Sequence, residues 1–231
     1  MTAQELKNSI LQLAVQGKLV PQSAEDEPVE ELLKQIAQQK EQLIKDEIIK
    51  KEKPLPEITE DEIPFDIPEN WCWCRLGEIF QVIMGQSPEG INVGETIEGI
   101  EFHQGKIFFT DRYIAKSNQQ TSEITKIAEP ESILLCMRAP VGKVNLTNRK
   151  ICIGRGLSAI VPLGGLLIEW AFHLFETLEY DFIKKSTGST FKAITGDIVK
   201  EELIPLPPLS EQKRIVAAIE QLLPLCEKLG R

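Results

Sequence analysis

The chain has 231 residues, of which 42% are hydrophobic and 26% charged, and its formal net charge is −9. Such a composition suits one large globular domain, or a domain with an appendage, and excludes wholesale disorder. The longest fully apolar run, Ile133 to Met137, is far short of the ~20 residues a membrane span needs.

Residues 3–16 are predicted to be helical, because Leu6, Ile10, Leu13 and Ala14 form one apolar stripe and Gly17 supplies a C-terminal stop. A second helix is expected from Pro28 to about Lys50, capped by Asp26 or Glu27. Its stripe of Val29, Leu32, Leu33, Ile36, Leu43, Ile44 and Ile48 is interrupted by Lys40. A polar opposite face predicts a helix that projects and packs along one side. Residues 51–70, with four prolines and a run of acids, read as a linker.

Residues 71–208 are expected to form the globular body. Strands are predicted at Ile79–Ile83, Lys106–Phe109, Ser132–Met137, Lys143–Leu146 and Leu157–Val161, with one apolar helix over 166–183. This predicts an α+β domain with a curved, mostly antiparallel sheet and packed helices. The prolines of Leu203–Leu209 favour extended chain. Ser210 then caps a last helix over 209–231, where Ile215, Ile219, Leu222 and Cys226 fall at the spacing of a helix–helix seam and Pro224 introduces a kink. The organisation expected is therefore a helical spacer and docking region (1–50), a proline-rich acidic linker (51–70), the body (71–208) and the start of a second spacer helix (209–231).

Charge is unevenly spread. Residues 1–70 carry −8 and 71–101 carry −4, whereas 102–200 carry +4 and 201–231 carry −1. Screening acts over about 10 Å, so the basic stretch can meet a polyanion although the total is negative. The five cysteines have no framework spacing, and neither they nor His103 and His173 show a zinc pattern. Both histidines are read as structural, and reduced thiols point to a cytoplasmic protein. Start residues Met-Thr-Ala-Gln-Glu-Leu-Lys lack a signal-peptide layout.

Catalytic signatures are missing. Gly85-Gln-Ser-Pro-Glu-Gly90 has a P-loop glycine gap without the Lys and Ser/Thr that follow it, and no G-x-G-x-x-G occurs. Leu206-Pro-Pro-Leu209 cannot hold a base amino group as an aromatic with Asp or Asn would, and Asp197, Glu201 and Glu202 lack a nuclease pattern.

Four stretches together resemble the specificity (S) subunit of type I restriction-modification systems. They are Leu6-Lys-Asn-Ser-Ile-Leu with Gly17-Lys-Leu-Val-Pro21 and Glu27-Pro-Val-Glu-Glu-Leu-Leu; Ile67-Pro-Glu-Asn-Trp-Cys-Trp73 with Leu76-Gly-Glu-Ile; Met137-Arg-Ala-Pro-Val-Gly-Lys-Val144 with Gly154-Arg-Gly-Leu-Ser-Ala-Ile160; and Gly188-Ser-Thr190 leading to Ile204-Pro-Leu-Pro-Pro-Leu-Ser-Glu-Gln-Lys-Arg-Ile-Val216. The resemblance implies a non-catalytic subunit that reads double-stranded DNA through a target recognition domain. Its helices would dock modification (M) subunits, which methylate adenine at N6 with S-adenosylmethionine; restriction (R) subunits would join them. No cofactor is expected on the chain itself, and no membrane contact. One recognition domain is present where the family has two, so the chain is either a piece cut after the first half or a natural half-subunit that pairs with a second copy.

Within that resemblance, base readout is expected over 86–120, including Gln104, Arg112, Tyr113, Lys116, Asn118 and Gln119, while Gln86 and Ser87 suit either a base edge or a phosphate. Phosphate contacts are expected from Arg138, Arg155, Ser189, Thr190 and Lys192, and Lys106 and Lys143 are further DNA-binding candidates. Turn chemistry, helix capping and internal salt bridges are the competing roles for these residues. Partner-helix packing is expected from Leu33, Ile36, Leu43, Ile215, Ile219, Leu222 and Cys226. Core packing is the expected role of Trp71 and Trp73. The competing functional reading is a protein-interaction module whose helices bind a partner without reading DNA.

Overall fold

The computed structural model describes residues 2–188 and 192–229. The chain divides into two compact units: Met1–Ile79, Leu163–Thr177 and Lys200–Arg231 form the first, and Phe80–Pro162 with Leu178–Val199 the second.

The first unit is mainly helical. Helix α1 (Ala3–Val15) opens with a capping box between Thr2 and Glu5. It closes at Gly17, whose φ of 68° belongs to the left-handed region, with the Lys18 N–H bonded to the Leu13 carbonyl. A Cβ there would also lie 2.4 Å from Pro68 Cγ. Helix α2 (Val29–Lys45) stops five residues short of the expected end. Glu47 turns into the left-handed region, the Ile48 N–H returns to the Leu43 carbonyl, and Ile48 is left 65% exposed. Val29, Leu32 and Ile36 are buried, while Leu33 and Leu43 are half-buried. Lys40, the interruption in the stripe, donates its Nζ to the carbonyl of Gly77 in the short helix α3 (Leu76–Ile79), and Gln39 accepts the Gly164 N–H. The helix is therefore held within the unit along this face.

The stretch read as a linker is anchored. Strand β1 (Cys72–Arg75) pairs antiparallel with β11 (Leu203–Leu206), and Arg75, 4% exposed, donates to the carbonyls of Pro56, Glu57 and Glu201 and to the Glu62 carboxylate at 2.7 Å. The guanidinium of Arg75 holds the Glu62 carboxyl down to about 2.

Helices α4 (Ile168–Thr177) and α7 (Leu209–Leu229) complete the bundle with α1. Leu11, Ala14, Trp170, Leu174, Ile215 and Ile219 line one small gap between them. Ile215 and Ile219, expected to face a partner's helix, are thus already covered by the chain's own helices; Cys226 is also buried and Leu222 half-buried. Helix α7 begins before Ser210, which does not cap it: the Ser210 hydroxyl donates to Asp26 and its N–H to Glu27. Asp26 in turn accepts two bonds from Arg214, at 2.6 and 2.7 Å. The acids expected to cap α2 therefore bind α7, and the α2 N-cap position, Pro28, makes no side-chain cap bond. In the same turn, Glu211 accepts from the Trp71 indole at 2.7 Å and from Gln22 at 2.6 Å. Burial pushes the Glu211 carboxyl up, against the pull of these two donors.

The second unit holds the main sheets. A four-stranded antiparallel sheet runs in the order β2 (Phe80–Met84), β10 (Leu157–Pro162), β7 (Ser132–Cys136), β8 (Val144–Thr147). All of β7 is buried, which explains why its sequence is a continuous apolar run rather than an alternating one. Five shorter strands form the other sheet: β3 (Val93–Gly94), β5 (Gln120–Thr121), β4 (Ile100–His103), β9 (Ile151–Ile153) and β6 (Ile127–Ala128), with β4 and β9 the one parallel pair. Ile114, Leu134, Cys136, Ile151, Ile153 and Leu157 form the core. Two expectations fail here. Lys106–Phe108 is a 3-10 turn, not a strand, because Phe108 and Phe109 both pack back onto that core. The helix expected over 166–183 breaks at Leu178 into α4 and α5 (Glu179–Lys185), which belong to different units. Helix α6 (Gly196–Lys200) follows. Helices with largely antiparallel sheets make the fold α+β, as expected.

Replacing Trp71 by Phe removes one of the donors to the buried Glu211 carboxylate; urea unfolding should show a loss of about 1–3 kcal/mol.

Candidate nucleic-acid interface

Three loops of the second unit meet around one glycine. The chain leaving β2 is tied by the Gly85 N–H to the Leu157 carbonyl and by the Gln86 N–H to the Ile153 carbonyl. The Ser87 hydroxyl accepts the Arg155 N–H, and Thr125 donates its hydroxyl to the Gln86 carbonyl. A Cβ on Gly154 would come within 2.9 Å of Phe102, 3.1 Å of Gln104 and 3.1 Å of the Ser87 oxygen. Only glycine lets the 85–87, 104–105 and 154–156 segments approach so closely.

Beside this junction lies an open cleft lined by Gln104, Gly105, Lys106, Cys136, Arg138, Ala139 and Gly156. Its floor is inert: burial pushes the Cys136 thiol up to about 12. Its rim is polar and cationic, since Gln104, Lys106 and Arg138 are all exposed. Arg138 bridges to Ala193, and the Ala139 N–H bonds the Lys192 carbonyl, which ties exposed Lys192 to the same side of the loop. Lys106, Arg138, Arg155 and Lys192 form no ion pair among the described residues. Six of the residues expected from sequence (Ser87, Gln104, Lys106, Arg138, Arg155 and Lys192) are thereby gathered by loops that are far apart in the chain, with Gln86 exposed next to them. Ser189 and Thr190 lie outside the described residues.

The remaining expected residues form a separate group. Arg112 stacks over the Tyr113 ring, 5.9 Å from its centroid, and Tyr113 and Lys116 are exposed. Asn118 donates to Glu95, and the Gln119 backbone is engaged by Ser117 and Phe102. Lys143 pairs with Glu179 at 2.8 Å on the surface, unlike the cations of the cleft.

The residue pair that sequence reasoning missed is Glu101 with Arg149. Arg149 grips Glu101 through two bonds, at 2.8 and 2.7 Å, and also donates to the carbonyls of Ile114 and Ala115. Glu101 further accepts the Ser117 N–H and meets His103 Nε2 at 2.7 Å. Burial would raise the Glu101 carboxyl, but Arg149, Ser117 and His103 outweigh it and hold it at about 2. Burial lowers His103 in turn. Its ring is 1% exposed, edge-on to Phe108, and its Nδ1 has no hydrogen-bond partner among the described residues. His103 and His173 are both buried, the latter with its Nδ1 2.8 Å from Glu176. This knot fixes β4, which leads directly into Gln104, and the 114–117 loop. The two residues are 48 positions apart, and no local pattern announces the pair. Trp71 is buried and bonded to Glu211, and Trp73 lies edge-on to Phe65, in agreement with packing roles.

Residues 68–229 match the family model of the type I restriction modification DNA specificity domain. The chain is 33% identical to the specificity subunit of the type I restriction enzyme EcoAI of Escherichia coli, over 97% of this chain and 40% of that protein. It is 34% identical to the EcoEI specificity subunit of the same organism, again over 97% and 40%. It therefore spans about two fifths of the length of these curated relatives. Among solved structures, a chain from a study of complex assembly and conformational transition of the type I R-M system superposes with a TM-score of 0.66 at 31% identity, covering 99% of this chain and 51% of that one. The HsdS subunit from Thermoanaerobacter tengcongensis gives 0.64 at 29%, covering 99% and 49%.

The Glu101 knot makes a pH prediction. Its carboxyl is lowered from 4.5 to about 2, so its contribution to stability is complete above the unfolded value and is lost as pH falls towards the folded one. Urea midpoints should therefore decline between about pH 5 and pH 2, and Glu101→Gln should flatten that decline while lowering stability at neutral pH.

Proposed function

The chain belongs to the family of type I restriction-modification specificity subunits, and from this we propose that it is a sequence-specific subunit reading one half of a split site in double-stranded DNA. The observation that carries the proposal is the cleft rimmed by exposed Gln104, Lys106 and Arg138, with Arg155 and Lys192 nearby and no ion pair on these cations among the described residues. Cations left unneutralised at a loop junction suit phosphate oxygens, and Gln104 and Gln86 carry the amide groups that pair with base edges. Arg112, Tyr113, Lys116, Asn118 and Gln119 would extend the readout, with Ser189 and Thr190 as further phosphate contacts.

In this reading the chain performs no chemistry. Modification subunits would dock on its helices and methylate adenine with their own S-adenosylmethionine, restriction subunits would join the assembly, and the complex would work in the cytoplasm. No helix among the described residues is long and apolar enough to cross a membrane. Pairing with a second copy would use the end of α7, where Leu225 is exposed and Leu222 half-buried, since Ile215 and Ile219 are already covered.

The test is to purify the chain with its adenine methyltransferase partner and assay methylation of DNA. Sequence-specific N6 methylation that requires the chain supports the proposal; its absence refutes it. Binding should weaken steeply with salt, and each of Lys106→Ala, Arg138→Ala and Arg155→Ala should reduce the slope of log K against log salt by about 1. A salt-independent interaction with protein alone would instead favour the interaction-module reading.

A further inference from the structure

We propose that Ile107 is a wedge that inserts between base pairs of the bound duplex and bends it, so that part of the target is selected by its deformability. This rests on the DNA-reading role proposed above and adds a residue that the sequence patterns did not single out.

Ile107 is 86% exposed, more than any other large hydrophobic side chain described. It sits at the tip of the 3-10 turn Lys106–Phe108. Behind it the turn is anchored: the Phe109 N–H bonds the Lys106 carbonyl, the Ala115 N–H bonds the Phe108 carbonyl, and both phenylalanines pack on the core. Phe108 also meets His103 edge-on at 5.4 Å between centroids. An apolar side chain is thus held out on a backed turn instead of a loose loop. A β-branched residue adds stiffness, because its χ1 is restricted.

The surroundings indicate what the side chain meets. Its neighbour Lys106 lines the cationic cleft with Gln104 and Arg138. The other highly exposed isoleucines of the same unit are differently placed. Ile91 and Ile124 flank a knot in which Glu123 accepts from the Glu89 N–H and the Asn92 amide, on loops that also carry Glu95 and Glu98. Ile91 and Ile124 thus stand beside acids, whereas the neighbour of Ile107 is Lys106, which would draw phosphates. Aliphatic wedges beside basic groups unstack a base step and kink the helix, and the cost depends on the step, with pyrimidine–purine steps deforming most easily. Specificity can then arise at a step where no side chain bonds a base edge.

The experiment uses the chain with its methyltransferase partner and a pool of random-sequence duplexes, from which the retained sequence is selected. That duplex, labelled at both ends, is then tested for bending by energy transfer. The wild-type complex should bend the DNA. Ile107→Ala should abolish the bend and weaken binding about tenfold, Ile107→Leu should keep it, and Ile91→Ala should change nothing. Straight DNA with the wild type, or bending that survives Ile107→Ala, would overturn the wedge while sequence selection kept the DNA-reading role intact. Failure of the pool to yield any preferred sequence would overturn both.

Discussion

A single turn of α7, from Ser210 to Arg214, holds the helical unit together. Asp26 and Glu27 reach it from the connection before α2, Gln22 from the connection after α1, and Trp71 from the chain entering β1. The partners are 140 to 189 positions away in sequence. Hydrogen bonds to a charged group contribute more than neutral ones, and a buried carboxylate with donors on both oxygens offsets much of the cost of taking it out of water. Glu211 shows that balance, since burial and two donors act in opposite directions on one carboxyl. With this turn fixed, α1 lies along α7, and the apolar side chains of both can close on Trp170 and Leu174 of α4.

The second unit relies on a comparable device, the Arg149 fork on Glu101, which sets β4 and the 114–117 loop. The two devices differ in what they free. Arg214 and Arg149 spend their charge inside the protein, as does Arg75. Lys106, Arg138, Arg155 and Lys192 do not. The net charge of the basic stretch therefore says less than the sorting of its cations into internal clasps and surface groups, and only the surface groups bear on the proposed contact with DNA.

Much of the fold was legible from local pattern. The stripe and stop of α1 and the seam of α7 follow from periodicity, and β2, β7, β8 and β10 from short runs rich in apolar and β-branched residues. What escaped was decided at long range. The two-residue strands β3, β5 and β6 are too short for any period, and the apolar Lys106–Phe109 run looks like a strand because its aromatic residues are core-facing, although they anchor a turn. Asp26, Glu27 and Ser210 look like caps by position, but each found a stronger partner in the other's helix. Of the site, the residue types and loops were readable, while their convergence at Gly154 and the pairing of Lys143 with Glu179 were not, because both depend on segments brought together only in the folded chain.

The chain passes from one unit to the other four times, at 79/80, 162/163, 177/178 and 199/200. No contiguous stretch of sequence thus corresponds to either unit. A protease that nicked one crossing would leave them joined through the other three, and a fragment that ends at any one crossing lacks part of at least one unit. Evolution meets the same restriction: a different second unit can be grafted onto this helical frame only by exchanging two segments at once, residues 80–162 together with 178–199.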